Sequence, residues 1–385
     1  MAYPLEDVRI LDLSRVLAGP FAGRMLADLG ADVVKVEPPS GDTTRLYGAN
    51  IGGNPGYYHQ QNVGKRNICI DLAVPGGAEL VHRLAAKADI VIENFRPGVA
   101  DRLGIGYGHL SRANPALIML SISGFGQTGP DSQRAAYAPV IHAEAGLLLR
   151  HARIAGIEQP ADFPLSVADT NAGLHGLVAV LAALWMRQRT GIGQHIDLAM
   201  LDATLATDDF LHFSLEQSEH TAVLPSEVWD TAAGRLLIAG DFRNIWRLLK
   251  AHHGLEEPDA GEDDPATRIA LRKEAARAFI RSLPDRASVI AALDAMNLAW
   301  GDVRETANLA EQPTVRHRGS ILEIDDRAGG TRPIVQSPYR FSAAESGVHG
   351  VAPWRGEHNA EVLRDWLGLD ADGSRQYHEC LQSEV

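Results

Sequence analysis

Short apolar runs rich in β-branched side chains alternate with stretches of helical period through the first third of the chain. Val8–Leu13 (VRILDL), Asp32–Val36, Asn67–Leu72, Ile90–Ile92 and Leu117–Ile122 read as strands. Between the first two, Pro20 suits the first turn of a helix whose apolar face carries Phe21, Met25, Leu26 and Leu29, and Gly30 is its stop signal. A second helix is expected from Pro75 to about Ala88, with Leu80, Val81 and Leu84 on one face, and a third helical stretch near Val99–Ala113. Strand–helix alternation of this kind predicts an α/β fold, with a parallel sheet covered on both faces.

A strongly apolar helix is expected to start at Asp169–Thr170. Leu174, Leu177, Val178, Leu181, Leu184 and Trp185 keep the 3.6-residue period, and Arg187, Arg189 and Gly191 mark its end. After about residue 205 the pattern changes. Glu256–Pro265 (EEPDAGEDDP) is acidic and unpatterned, and reads as a surface loop. Arg272–Leu283 and Ala287–Met296 read as two short helices, Gly329–Gly330 and Pro333 as turns, and His358–Leu367 as a terminal helix. Two lobes are therefore expected: a large one from residues 1–205 and 325–385, and a smaller α/β lobe from 206–324. Single cores stop growing near ~250–300 residues, so a chain of 385 fits that division.

Charge narrows the function. With 36 basic and 49 acidic side chains the formal net charge is −13, which disfavours sequence-independent contacts to nucleic-acid phosphates. A phosphorylated small molecule stays admissible wherever basic groups converge. Two cysteines, Cys69 and Cys380, make no disulfide framework, no Cys/His cluster has zinc-ligand spacing, and a reducing cytoplasm is the expected home. The N-terminus lacks a basic region ahead of an apolar one, so no signal peptide is read there. The longest apolar run, Leu177–Met186, is shorter than the ~20 residues that span a bilayer, so no membrane partner is expected.

Gly104, Gly106 and Gly108 imitate a dinucleotide-binding loop, but they interrupt a helical stretch and follow no strand, so no nicotinamide cofactor is read from them. Asp169 lies in Ser166-Val-Ala-Asp-Thr-Asn-Ala-Gly173. As a helix N-cap it would accept a bond from the next turn's amides. The same geometry serves chemistry: a carboxylate beside unpaired amides is an ionised nucleophile next to groups that stabilise an oxyanion. The local pattern leaves both readings open.

Six segments, in order, resemble the class III CoA-transferase (CaiB/BaiF-like) superfamily, which also includes the α-methylacyl-CoA racemases. They are LEDVRILDLSRVLAGPFAGRMLADLGADVVKVEPPSGD from Leu5, GKRNICIDL from Gly64, ADIVIENFRPGVADRLG from Ala88, LIMLSISGFGQTGP from Leu117, VADTNAGLHGLVAVLAALWMRQRTGIGQHIDLAMLDA from Val167 and GEHNAEVLRDWLG from Gly356. The resemblance implies a Rossmann-like sheet in the large lobe and a homodimer whose two chains pass through each other like linked rings. It implies transfer of coenzyme A from an acyl-CoA to a free carboxylic acid, with no metal and no cofactor beyond coenzyme A as substrate.

Asp169 occupies the place of the family's nucleophile. Val16, Leu17 and Ala18, together with Asn94, Phe95, Arg96 and Arg102, match segments that contact coenzyme A. Pro38 and Ala73 stand where some relatives carry basic contacts, so phosphate binding would fall to Arg15, Lys65 or Arg66. Leu17 replaces a polar residue of the formyl-CoA transferases. Tyr137 stands where racemases place a histidine, one of their two opposed acid/base groups, and so argues for transfer over the alternative of racemisation or isomerisation. A second alternative, a non-catalytic CoA-binding relative, is opposed by the intact Asp169. Gly240 alone survives of a glycine run that covers the site in some relatives, and a plain strand-to-helix turn accounts for it equally well.

Overall fold

The computed structural model describes residues 1–218, 226–258 and 265–382. The acidic segment 256–265 falls partly outside them, at 259–264. The chain forms two compact units, Met1–Leu211 with His317–Val385, and His212–Arg316.

The larger unit is built on six parallel strands: β1 (Arg9–Asp12), β2 (Asp32–Glu37), β3 (Arg66–Cys69), β4 (Ile90–Glu93), β5 (Ile118–Ser123) and β6 (Gln194–Ala199). Their spatial order is β3-β2-β1-β4-β5-β6, that of a doubly wound nucleotide-binding sheet. The order reverses between β1 and β4, where a crevice opens outside the carboxyl ends. Five strands fall where the apolar runs predict them. The sixth escaped notice because QHIDLA lies at the sheet edge with alternate side chains exposed, so it shows no continuous apolar run.

One face of the sheet, with Ile10, Val33, Ile92, Ile118 and Leu120, packs against helices α1 (Ala18–Asp28) and α4 (Val167–Thr190). The other, with Leu11, Val34, Ile68, Val91 and Met119, packs against α2 (Gly77–Ala85) and the terminal helix Asn359–Leu367. The chain end thus returns to the larger unit. Apart from Asn67 in β3, the polar side chains buried in the strands gather toward their carboxyl halves: Asp12, Lys35, Glu37, Glu93, Ser121 and Ser123.

Helix α4 departs from its predicted face. Leu177 and Leu184 are buried, but Leu174, Val178, Leu181 and Trp185 are exposed, and the packed face is made of small residues. A Cβ on Gly173 would lie 2.9 Å from the Ala18 carbonyl oxygen, and one on Gly176 2.9 Å from Leu120 Cδ2, so close helix approach selects glycine. By length and composition α4 could cross a membrane, contrary to the apolar-run estimate, yet eight of its residues are buried in the unit.

The smaller unit pairs three antiparallel strands, in the order Ala299–Asp302, Gly234–Ala239 and Ser226–Thr231. Helices Phe242–His253, Pro265–Ser282 and Arg286–Ala295 enclose its core around Trp229, Ile238 and Trp246. Gly240 lies in the turn between its central strand and the helix Phe242–His253.

Candidate active site

Asp169 is the third residue of α4, not its cap. The N-cap is Ser166, whose side chain makes no capping bond, and the helix starts two residues before the expected point because Val167 and Ala168 already take helical form. The Asp169 carboxyl is half-buried, and burial pushes its pKa up to about 6. Opposing burial, in descending order, are a hydrogen bond from the backbone amide of Ala18, the electrostatic pull of His142 and a hydrogen bond from the backbone amide of Ala138. Those amides open α1 and α3 (Ala138–Glu144), whose caps are Leu17 and Tyr137. Each is among the first-turn donors that lack a partner within their own helix. At pH 7 the group is mostly ionised, but far closer to titration than a surface aspartate.

This carboxyl lines a solvent-open cleft of about 790 Å³ with Val16, Ala18, Asn94, Phe95, Arg96 and Tyr137. Seven of the nine site residues read from the sequence therefore meet here. Leu17 is buried behind the turn as the cap of α1. Arg102 ends the short helix Val99–Arg102 and is exposed, outside the lining. Tyr137 is 66% exposed. The two loops at the switch point are joined reciprocally: Arg15 N donates to Asn94 Oδ1 (2.8 Å) and Asn94 Nδ2 to Arg15 O (2.7 Å). The Arg15 guanidinium lies 5.9 Å from the Phe95 ring centre.

A second, mostly apolar cavity adjoins the first, sharing Arg15 and Phe95 and bordered by Pro38, Ala73 and Leu103. Of the three cations proposed for phosphate, only Arg15 lines it. Lys65 is buried against Asp12 Oδ2 (2.8 Å), and Arg66 is held by Asp32, Glu361 and Asp365. Neither lines either cavity, and removing one partner of a buried pair such as Asp12–Lys65 costs about 3–5 kcal/mol.

Several groups escaped the sequence reading. Arg134 and Ser123 line the cleft. His142 is buried: its Nε2 accepts from Ala168 N (3.2 Å), so Nδ1 carries the proton donated to Asp162 (2.8 Å). It thereby satisfies an amide of the first turn of α4. Burial, then the Asp169 charge, pushes the Tyr57 hydroxyl up to about 12, leaving it a donor. Glu93 accepts from Phe95 N (2.7 Å) and is pushed up to about 7 by burial, against bonds from Ser121 and Phe95. Only tertiary placement distinguishes these residues from ordinary core polar groups.

An open parallel sheet with a carboxylate held by two helix-start amides at its switch point defines an α/β enzyme suited to acyl transfer from a phosphorylated carrier. The chain belongs to CoA-transferase family III, whose model matches residues 5–359. It is 34% identical over 385 residues to the succinate–glutarate CoA-transferase of Agrobacterium fabrum, covering 94% of this chain and 95% of that one. It is 32% identical to the succinyl-CoA–D-citramalate CoA-transferase of Chloroflexus aurantiacus (96% and 95%), and 30% identical to the human succinyl-CoA:glutarate CoA-transferase (95% and 87%). The crystal structure of a CAIB/BAIF family protein from Brucella suis superposes with a TM-score of 0.80 at 31% identity, covering 95% of this chain and all of that one. The protein is a CoA-transferase, acting on an acyl-CoA and a carboxylate.

Proposed function

We propose that transfer runs through covalent intermediates on Asp169. One carboxylate oxygen attacks the acyl-CoA carbonyl, and the C–S bond breaks to give an acyl-aspartyl anhydride and CoA thiolate. The thiolate then attacks the aspartyl carbonyl, releasing the donor acid and leaving an aspartyl-CoA thioester. An incoming carboxylate reverses the sequence and departs as the new acyl-CoA. The observation that carries this reading is the pair of backbone amides, Ala18 and Ala138, that favour the Asp169 anion and are placed to stabilise the oxyanion formed on the same group when the thiolate attacks the aspartyl carbonyl. Tyr137, on the cleft rim, replaces the second acid/base group that α-proton transfer needs.

The acyl-CoA lies with its thioester in the first cleft and its nucleotide end in the second. Arg15 and Arg96 serve the phosphates, and Phe95 the pantetheine or adenine. Succinyl-CoA is the donor class and a second dicarboxylic acid the acceptor, by likeness to the named relatives. The arginines Arg15, Arg96 and Arg134 on one cleft suit substrates with a carboxylate to spare. The enzyme works in the cytoplasm as a homodimer, in keeping with two buried cysteines and an exposed apolar stripe on α4.

The test is mass spectrometry of the protein incubated with succinyl-CoA and no acceptor. A CoA adduct on the Asp169 peptide is expected, absent in Asp169→Ala. That variant should lose transfer and retain CoA binding. Full transfer by Asp169→Ala would end the covalent reading.

A further inference from the structure

Val16 has a φ of 69°, a left-handed backbone that a β-branched residue rarely adopts. Such strain persists only where the surroundings hold it, and it sits here two residues before the Ala18 amide that meets Asp169.

The restraint is visible. The Asp42 carboxylate accepts from Val16 N at 3.2 and 3.4 Å. It also accepts from Thr44 N (3.0 Å) and Thr44 Oγ1 (2.9 Å), and its own amide donates to Glu37 (2.7 Å). Lys35 Nζ lies 3.1 Å from Asp42 Oδ2 and donates to the Ser14 carbonyl (2.8 Å), which fixes the residues just before Val16. Ser14 N donates to Asp12 Oδ1 (3.0 Å). On the far side, Lys65 donates to Asp12 Oδ2 (2.8 Å) and to the Pro20 carbonyl (2.9 Å). The turn is folded so tightly that a Cβ on Gly19 would lie 2.3 Å from Ser14 Cβ. All five charged groups, Asp42, Glu37, Lys35, Asp12 and Lys65, are buried, and none lines the cleft that holds Asp169.

We propose that Asp42 is a positioning residue for transfer: its carboxylate holds the strained Val16 turn and so aims the Ala18 amide at Asp169. The proposal rests on Asp169 being the nucleophile. Asp42 and Lys35 also border the second cavity, so a direct contact with the nucleotide end is the competing role, and it would appear in KM.

The two roles separate in a cycle of Asp42→Ala, Val16→Gly and the double variant, read as kcat and KM for succinyl-CoA. Released from Asp42, Val16 leaves the left-handed region, whereas glycine has no steric reason to do so and stays pinned by Lys35 and Lys65. Asp42→Ala should lower kcat at least ~10-fold in the native background, as a misplaced catalytic donor does, with KM changed less than about threefold. In the Val16→Gly background the same substitution should lower kcat no more than about threefold, the shortfall being the coupling between the two positions. Equal losses in both backgrounds, or a loss confined to KM, would overturn the proposal. Should Asp42→Ala not fold, the isosteric Asp42→Asn decides in its place, with a smaller kcat loss that Val16→Gly again relieves. If the wild-type enzyme forms no adduct on Asp169, the covalent reading fails, while coupling between positions 42 and 16 is still measured.

Discussion

At Asp169 two demands compete. Burial favours the neutral acid, and the proposed attack on a thioester needs the anion. The amides of Ala18 and Ala138 moderate the conflict without abolishing it, leaving a pKa of about 6. kcat/KM should therefore rise as pH climbs through about 6 and level off above it; a solvated aspartate would place that limb near ~4. The same shift has a consequence for stability. A carboxyl whose folded pKa exceeds its unfolded value binds its proton more tightly when folded. The resulting cost is absent below about 3.8 and complete above about 6. The denaturation midpoint of Asp169→Asn, measured against wild type, should thus gain relative to it between pH 4 and pH 7. A difference that does not change with pH would show that the carboxyl is not buried as described.

Helix α4 ties Asp169 to the scaffold through its small residues. Gly173 lets the Ala18 carbonyl and the Phe21 ring approach, and a Cβ there would lie 2.9 Å from the first and 2.7 Å from the second. Gly173→Val should overpack the contact by about 1–3 kcal/mol, lower the melting temperature by several degrees, and reduce kcat by separating Ala18 from Asp169. Gly108→Ala, in a helix with open space at that position, serves as the control and should hold its melting temperature. A Gly173→Val enzyme with native melting temperature and kcat would refute the tight α1–α4 contact. These helices also show what one sequence can reveal. The buried strands were legible because both their faces are apolar. The edge strand Gln194–Ala199 was not, since half its side chains meet solvent. That Asp169, Tyr137 and the two loops meet in one cleft was legible through the family resemblance, whereas His142, Tyr57 and Asp42 are placed by neighbours far away in sequence. No local period encodes such proximity. The face of α4 was misread for a related reason: periodicity locates an apolar stripe but does not name its partner, and glycine and alanine, weak apolar signals, took the core.

The whole molecule leaves that stripe uncovered. Leu174, Val178, Leu181 and Trp185 follow one another along α4, with Val178 64% and Trp185 66% exposed in the single chain. A contiguous apolar surface of this kind marks an interface in a soluble protein, because each Å² left in water forgoes about 25 cal/mol. The family resemblance points to a second copy as the cover, in a dimer of interlinked chains. Sedimentation should accordingly give twice the 41.5 kDa chain mass, and Trp185→Glu, which places a charge in the stripe, should give monomer or insoluble protein. Interlinking makes a sharper demand than contact alone. Two rings threaded through each other part only if one unfolds, whereas two surfaces pressed together part by dissociation. Tagged and untagged dimers mixed under native conditions should therefore form no hybrid over days, yet form it readily after unfolding and joint refolding. Hybrids appearing within minutes in native buffer would leave a dimer but remove the link, and a native monomer by sedimentation would remove both.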